Sequence, residues 1–493
     1  MVFKGGVMEA EKHIQKNEAI SNEFLEDKEK EVAFYVLSQI NEKGYMKASP
    51  NYKWYVPMWF RDSSFTSISL THNAKFFELK NDKETADKMK DASARLLNFM
   101  WKAMNNFSEN MDRAIEMPLE NPSFNIILNH VPARINENYS IGGHRENKEM
   151  GSDNPLYYSD LNRSMWLKQF DSVPLLLIAT NDYIKNFGVD KNLEDSLHKI
   201  SKLLPKMIEY MNKIYIAPCS NAWEMDTHQI HAYDVAAIYA GMGSALEIVK
   251  YFKNDLKEDA IESLSELKRI LNSNSILECF DEENKNKIES SLKKINFFNN
   301  NEINSVNEKK VLEYMSNVNK FLKDHFIRNN TLYKAKDVFR EDGNFKNGPI
   351  QEVDSEELFV FTRFNPPCIT EEIQKNTMKR IEDELFNNNS LPIRFKGDTY
   401  FYGGRWPLLG LEAANWYINN NSPEKAKQII DYITKKYLMH GEKIPEQEIV
   451  NPASQNDPDE FYVKNNKKVI EDLIWSESAY VDTVLRYLEN QRK

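Results

Sequence analysis

The stretch Glu29–Gly44, EKEVAFYVLSQINEKG, places apolar residues at Val32, Ala33, Tyr35, Val36, Leu37 and Ile40. They recur at the three- and four-residue steps of one helix face, and Lys43-Gly44 supplies a helix stop. Outward from it, the same period returns at residues 84–107, 162–186, 192–214, 232–254, 306–327, 370–387, 407–419, 423–439 and 471–490. Strand-like segments are short, at Ile214–Ile216 and Leu391–Phe395. So much helix with so little strand predicts an all-α fold whose long loops carry function. No fixed-period repeat of the solenoid kind is present. Asp281–Lys310, rich in Asn, Lys and Glu, reads as a surface insertion, and no linker rich in Pro, Gly or Ser divides the chain. The expected organisation is an N-terminal extension, residues 1–28, and one helical domain, residues 29–493.

Composition narrows the function classes. Of 493 residues, 41% are hydrophobic, enough for a large core, and 28% are charged, as a solvated surface requires. The aromatic share of 12% suits a pocket that stacks flat faces, sugar rings among them, although large cores use aromatics too. A net charge of −11 argues against nucleic-acid partners, which need concentrated basic surface to displace counterions. Cys219, Cys279 and Cys368 are far apart and odd in number, so neither a disulfide framework nor a CxxC metal site is expected. The first residues lack the apolar core of a signal peptide, and the apolar run Val173–Ala179 is too short to span a bilayer. The expectation is a cytoplasmic protein with no membrane partner.

Chemistry concentrates in five clusters at the edges of the helical patterns. Trp59-Phe60-Arg61-Asp62 opens an apolar helix; Arg and Asp there can cap and pair, or grip hydroxyls by directed donation and acceptance. Trp166, Lys168, Gln169 and Asp171 interrupt an apolar stretch with polar groups that need partners. Trp223-Glu224 sets a carboxyl beside an indole, which could shield it from water and raise its pKa; the neighbouring Asp226, His228 and His231 would alternatively suggest a metal, without the spacing of a known site. Arg394-Phe395, Asp398 and Tyr400 to Pro407, with Tyr402, Gly403-Gly404, Arg405 and Trp406, hold more rings and cations than a plain connector needs. The double Gly permits positive φ or close backbone approach, and it lacks nucleotide-loop spacing. Ile444-Pro445-Glu446-Gln447-Glu448 is followed by Trp475-Ser476-Glu477; alone, a loop Glu there reads equally as a solvated one.

Taken in order over roughly residues 30–490, these clusters resemble glycoside hydrolase family 15, the glucoamylases, glucodextranases and family-15 trehalases. The family's aromatic-x-Arg-Asp segment is similar to Trp59–Asp62, its Trp-Glu with the general acid to Trp223-Glu224, and its Leu-Pro-Glu-Gln with the general base to Ile444–Gln447. Its Tyr-x-Gly-Gly-x-Trp-Pro resembles Tyr400–Pro407 with one extra residue, and Asp354-Ser355, Trp166–Asp171 and Trp475-Ser476 have counterparts. The chain departs from the pattern at Met225-Asp226 and in lacking the N-terminal β-sandwich of many prokaryotic members.

The resemblance implies an (α/α)6 barrel and inverting hydrolysis, with Glu224 as acid and Glu446 as base, Glu448 being the fallback. It assigns Arg61, Asp62, Lys168, Gln169, Asp171, Arg394, Tyr402 and Arg405 to sugar contacts and Trp59, Trp166, Trp223, Trp406 and Trp475 to the pocket wall. No metal or other cofactor is implied. The expected partner is an α-glucan or malto-oligosaccharide cut from its non-reducing end, with trehalose and α-1,6 glucosides behind it. A Trp-x-Arg-Asp-Ser segment like Trp59–Ser63 would also suit a metal-independent α-mannosidase, and a glycan-binding protein without activity is the non-enzyme alternative. Oligomeric state is left open.

Overall fold

The computed structural model describes residues 20–52, 55–116, 130–139, 169–224, 229–273, 288, 302–337, 352–386, 390–398, 400–448 and 469–492; side chains at 255–261, 266–273, 337 and 402 are not included. Helices dominate these residues. They fall into two kinds, distinguished by how much of their surface is buried.

The first kind is amphipathic. In Glu194–Ile214 the buried side chains Ile200, Leu203, Leu204, Met207, Ile208, Met211 and Ile214 return every three or four residues, one face against the core. Asn22–Ser38, Lys83–Asn106, Glu308–Phe326 and Glu371–Ile381 share this character, and each is started by a side-chain cap. Ser21, Asp82, Asn307 and Thr370 accept from the backbone N–H groups of Phe24, Thr85, Lys310 and Ile373.

The second kind is buried on every face. Phe60–Leu79 buries almost its whole length, including Ser63, Ser64, Thr66, Ser67, Thr71 and Asn73. Pro407–Asn419 and Ile474–Asn490 are similar, as is the first part of Ser172–Phe187. Their hydroxyls pair across helices: Thr66 with Ser478 at 2.8 Å, Ser67 with Ser93 at 2.8 Å. Phe60–Leu79 packs on Ser172–Phe187, which packs on Ala232–Ser273. That helix touches Glu357–Phe364, which touches Pro407–Asn419; this helix meets Ile474–Asn490, which returns to Phe60–Leu79. The N-cap residues Trp59, Asp171, Glu356, Trp406 and Leu473 make no side-chain capping bond. Backbone carbonyls take some of the first-turn N–H groups instead, Ala133 that of Phe60 and Ala48 that of Ile474, and the positive dipole poles stay directed at whatever lies beyond these helix ends.

Ionised groups tie the buried helices together lower down. Arg363 pairs with Glu412 and with Asp482 at 2.6 Å, while His72 reaches Asp482 at 2.9 Å and Asp182 at 3.2 Å. Its carboxylate neighbours hold the His72 ring charged, up to about 9, against the effect of burial.

Strands among the described residues are two or three residues long. Met58–Trp59 pairs with Arg134–Ile135, Gln229–His231 with Ala335–Asp337, and Ile327–Arg328 with Thr331–Leu332 across the positive-φ turn Asn329-Asn330. Two expectations are corrected. Ile214 ends a helix rather than opening a strand, and Leu391–Phe395 contributes only isolated bridges, Ile393 to Arg405 and Phe395 to Asp354. Residues 22–28, placed by the sequence in the extension, belong to the helix Asn22–Ser38, with Leu25 fully buried. Most of the surface insertion expected at 281–310 lies outside the described residues, but Glu302–Ser305 and the start of Glu308–Phe326 are ordinary helix. No helix among the described residues is long and apolar enough to cross a membrane.

Candidate active site

The clusters found in the sequence meet at the N-terminal ends of the buried helices. Trp59–Asp62 opens one, Asp171 immediately precedes the next, Trp223-Glu224 lies ahead of the strand Gln229–His231 that leads into Ala232, Trp406 immediately precedes Pro407–Asn419, and Trp475 lies in the first turn of the last.

Arg61 organises the base of the site. It is 4% exposed, and its Nε donates to Asp171 at 2.7 Å. Its two terminal nitrogens donate to the Ala222 carbonyl and the Gln169 side chain, and its plane faces Trp475 and Tyr233. The Tyr233 hydroxyl also donates to Asp171 at 3.1 Å. Arg61, Gln169 and Asp171, all expected at the sugar, pair with one another in the structure. These side chains hold three segments together beneath the turn at Asn221–Glu224.

That turn is fixed from several sides. Asn221 accepts the Trp223 N–H on its side chain at 3.0 Å and the Glu224 N–H on its carbonyl at 3.0 Å. The Trp223 indole donates to Asp354 at 2.9 Å. Glu224 adopts φ +63°, a left-handed conformation unusual for a residue with a Cβ, and one the surrounding bonds must maintain. Its carboxylate accepts from the indole of Trp59 at 3.0 Å. The indole that reaches Glu224 is thus Trp59, and the sequence neighbour Trp223 faces Asp354 instead.

Glu446 is 4% exposed. One oxygen accepts from the Tyr55 hydroxyl at 2.7 Å and the other from Tyr400 at 3.0 Å, with the two hydroxyls 3.0 Å apart. Burial pushes its pKa up to about 7, opposed by the two phenols and Arg394, and Glu224 adds to the rise. Asp62, 5% exposed, is pushed up to about 7 by burial; Arg61 opposes, and Asp171, Glu446 and Glu224 reinforce. Three carboxyl groups thus share one electrostatic neighbourhood. Tyr55, unremarkable in sequence, joins them: its ring lies 5.5 Å from that of Trp59, so one short segment holds both Glu446 and Glu224.

Arg394 chelates Asp398 through Nε at 2.8 Å and a terminal nitrogen at 2.7 Å. Trp223, Tyr400 and Trp406 surround it at 5.5, 4.8 and 5.1 Å. Arg405, also expected at the sugar, donates to the carbonyls of Phe386 at 3.0 Å and Leu391 at 2.6 Å. Trp475 is packed between Phe65 and Phe359 behind Arg61, rather than exposed as a wall. Glu448, the fallback base, is engaged by Tyr437, Tyr432 and Lys436. Trp166, Lys168, the Tyr402 side chain, Asp226, His228 and Cys279 lie outside the described residues. His231 is buried with its Nδ1 3.7 Å from Glu356, and the Cys219 thiol meets Asp234.

With this geometry in view, the comparisons with solved structures fall into place. The chain resembles a glycosidase. It matches a single-residue variant of that protein with a TM-score of 0.62 at 14% identity, over 96% of this chain and 99% of the other. The wild-type form and a glutamate-to-alanine variant in complex with glucose each match with a TM-score of 0.60 at 15% identity over the same shares. At such identity the likeness is one of fold. No protein-family model matches the sequence, and no curated protein does.

Proposed function

We propose that the protein is an inverting, exo-acting α-glucoside hydrolase of the glucoamylase type, working on the non-reducing ends of α-1,4-linked malto-oligosaccharides. The observation that carries this reading is the pair Glu224 and Glu446, each held by an aromatic donor from the segment Tyr55–Trp59 at the N-terminal ends of buried helices. The cycle of contacts from Phe60–Leu79 round to Ile474–Asn490 supports an inner ring of six elements, hence an (α/α)6 toroid. Likeness in fold to a glycosidase, one structure of which holds glucose, agrees with a sugar substrate.

In this reading Glu224 protonates the glycosidic oxygen as the bond to the anomeric carbon breaks. Water attacks that carbon from the opposite face and gives its proton to Glu446, so the product is β-glucose. Asp62, to which no described residue donates a hydrogen bond, takes hydroxyls of the terminal sugar; Arg61 holds the floor. Protons and water suffice, and no cofactor is invoked.

The test is incubation with maltotriose, isomaltose, trehalose and an α-mannobiose, followed by time-resolved proton NMR. Early β-glucose from maltotriose is expected, and none from Glu446→Gln, whose amide cannot accept the water's proton. Early α-glucose would overturn inversion. Mannose release alone would favour an α-mannosidase, and inertness on all four would sink the reading.

A further inference from the structure

Glu446 lies on a loop whose backbone is fastened almost group by group. The Ile444 carbonyl accepts from Leu473 N–H at 3.2 Å, the Glu446 N–H donates to the Ile470 carbonyl at 2.9 Å, and Glu448 exchanges both of its backbone bonds with Arg405. Ser476 Oγ donates to the Pro445 carbonyl at 3.3 Å. Pro445 has no N–H of its own. The remaining donor ahead of Glu446 is the Ile444 N–H, and it is taken by a side chain: Glu477 Oε1 accepts it at 2.7 Å.

Glu477 is an unusual group to find there. It is completely buried in the first turn of Ile474–Asn490, and its Oε2 is buried with no hydrogen-bond partner. Burial pushes its pKa up to about 8, with Asp472 adding to the rise, so near neutrality it holds a proton and acts on Ile444 as a neutral acceptor. A buried carboxyl with one unpaired oxygen costs more than an aliphatic side chain of the same size would. What the carboxyl supplies for that cost is one bond, and that bond anchors the loop two residues before Glu446.

We infer that Glu477 is a positioning residue for the proposed base: through the Ile444 amide it fixes the loop so that the Glu446 carboxylate meets Tyr55 and Tyr400. The inference rests on the reading of Glu446 as base. It differs from a general packing role in what it demands of the side chain, namely an acceptor oxygen at the Oε1 position, charged or not.

The experiment compares Glu477→Ala and Glu477→Gln with the parent enzyme in maltotriose kinetics, and determines the crystal structure of Glu477→Ala. The amide keeps the acceptor oxygen, so Glu477→Gln should retain kcat. Glu477→Ala should lose kcat by about tenfold or more with KM changed by less than about twofold, because a small displacement of a proton acceptor acts on the chemical step. In its crystal structure the Glu446 carboxylate should have left one or both phenol hydroxyls. Should Glu477→Ala fail to fold, Glu477→Asp, one methylene short, is read by the same criteria. An unmoved Glu446 with unchanged kcat overturns the inference, and so does a Glu477→Gln variant as impaired as Glu477→Ala. Activity in Glu446→Gln would instead remove the proposed base, while the crystal structure still decides whether Glu477 places that loop.

Discussion

The ring of Tyr55 stacks on that of Trp59 with centroids 5.5 Å apart and planes 28° from parallel, and the two polar tips go to different carboxylates. Tyr55 donates to Glu446 and Trp59 to Glu224. One rigid aromatic pair thereby sets the relation between two acidic groups 222 positions apart in sequence, as the numbers 446 and 224 give. For the proposed inverting reaction such rigidity matters, because that reaction needs a fixed gap that admits one water.

Trp59→Phe keeps a ring against Tyr55 and removes only the N–H that Glu224 accepts. As Glu224 gives its proton to the leaving oxygen, the indole N–H stabilises the carboxylate that forms. A hydrogen bond to a charged group contributes on the order of 1.5–3 kcal/mol, so kcat/KM on maltotriose should fall roughly 10- to 100-fold. Steady-state kinetics with a thermal melt as control checks this. A variant with parental kcat/KM would mean that Glu224 needs no such donor and would weaken its assignment as the acid.

Tyr55→Phe should move the pH profile in a known direction. The phenol bond stabilises the ionised form of Glu446, so its loss lets the pKa rise further above about 7. A general base works only when deprotonated, and the acid limb of kcat/KM should therefore shift to higher pH, by about one unit. The measurement is kcat/KM from pH 4 to 9 for both proteins. An unshifted or downshifted limb contradicts Glu446 as the titrating base.

The sequence showed the amphipathic helices because their polar face marks the period, as in Glu194–Ile214 and Glu308–Phe326. It did not mark Phe60–Leu79 or Glu357–Phe364 as periodic, since an enclosed helix has little polar face to set the period. The equally enclosed Pro407–Asn419 and Ile474–Asn490 were legible instead as apolar runs of helical length. The site clusters were visible as polar and aromatic residues breaking an apolar pattern, but the direction of each side chain was not. Arg61, Arg394 and Arg405 look alike in sequence; the first two face the site region through acidic partners, while the third turns to the carbonyls around Leu391. Nor could sequence adjacency say which indole meets Glu224, since the turn sends Trp223 toward Asp354. The signal for Tyr55 was slight, a Tyr four residues before Trp59, and its partner lies far along the chain.

Gly403-Gly404 makes a sharper stability prediction. Gly403 has φ +64°, whereas Gly404 is needed for space: a Cβ there would strike the Gln447 side chain and lie 2.5 Å from the Glu448 carbonyl. Gln447 uses that side chain to accept the Gly404 N–H at 2.9 Å, so it cannot withdraw without losing the bond. Gly404→Ala should cost about 1–3 kcal/mol, as overpacking of a close-packed site does, and should lower kcat because the displaced backbone carries Glu446. Denaturant unfolding and kinetics together test it. Unchanged stability would show that the loop repacks freely.

The buried acids predict how stability depends on pH. Burial holds Glu29, Asp234 and Glu477 up to about 8, Asp62 and Glu446 to about 7, and Asp354 to about 6. Each folded-state pKa lies above the unfolded value near 4, so between roughly pH 4.5 and 8 the folded chain binds more protons than the unfolded one. Stability contributed this way is complete below the unfolded pKa and is lost as pH rises through the folded values. His72, held up to about 9 by Asp182 and Asp482 against burial, acts with the same sign between about 6.5 and 9. Asp482 is the counterweight: Arg486, Arg363 and His72 hold it well below the usual carboxylate range despite its burial. Its contribution is present above the unfolded pKa and disappears only as the solution becomes more acid than that. Both trends change over at the unfolded carboxylate pKa, so the melting temperature should peak at about pH 4 and decline steadily toward pH 8.5. Calorimetry at constant ionic strength decides the matter. A melting temperature that rises or stays level across that interval would mean that these carboxyls are ionised in the folded protein, and that the acid-rich floor beneath Glu224 and Glu446 is wetter than its burial indicates.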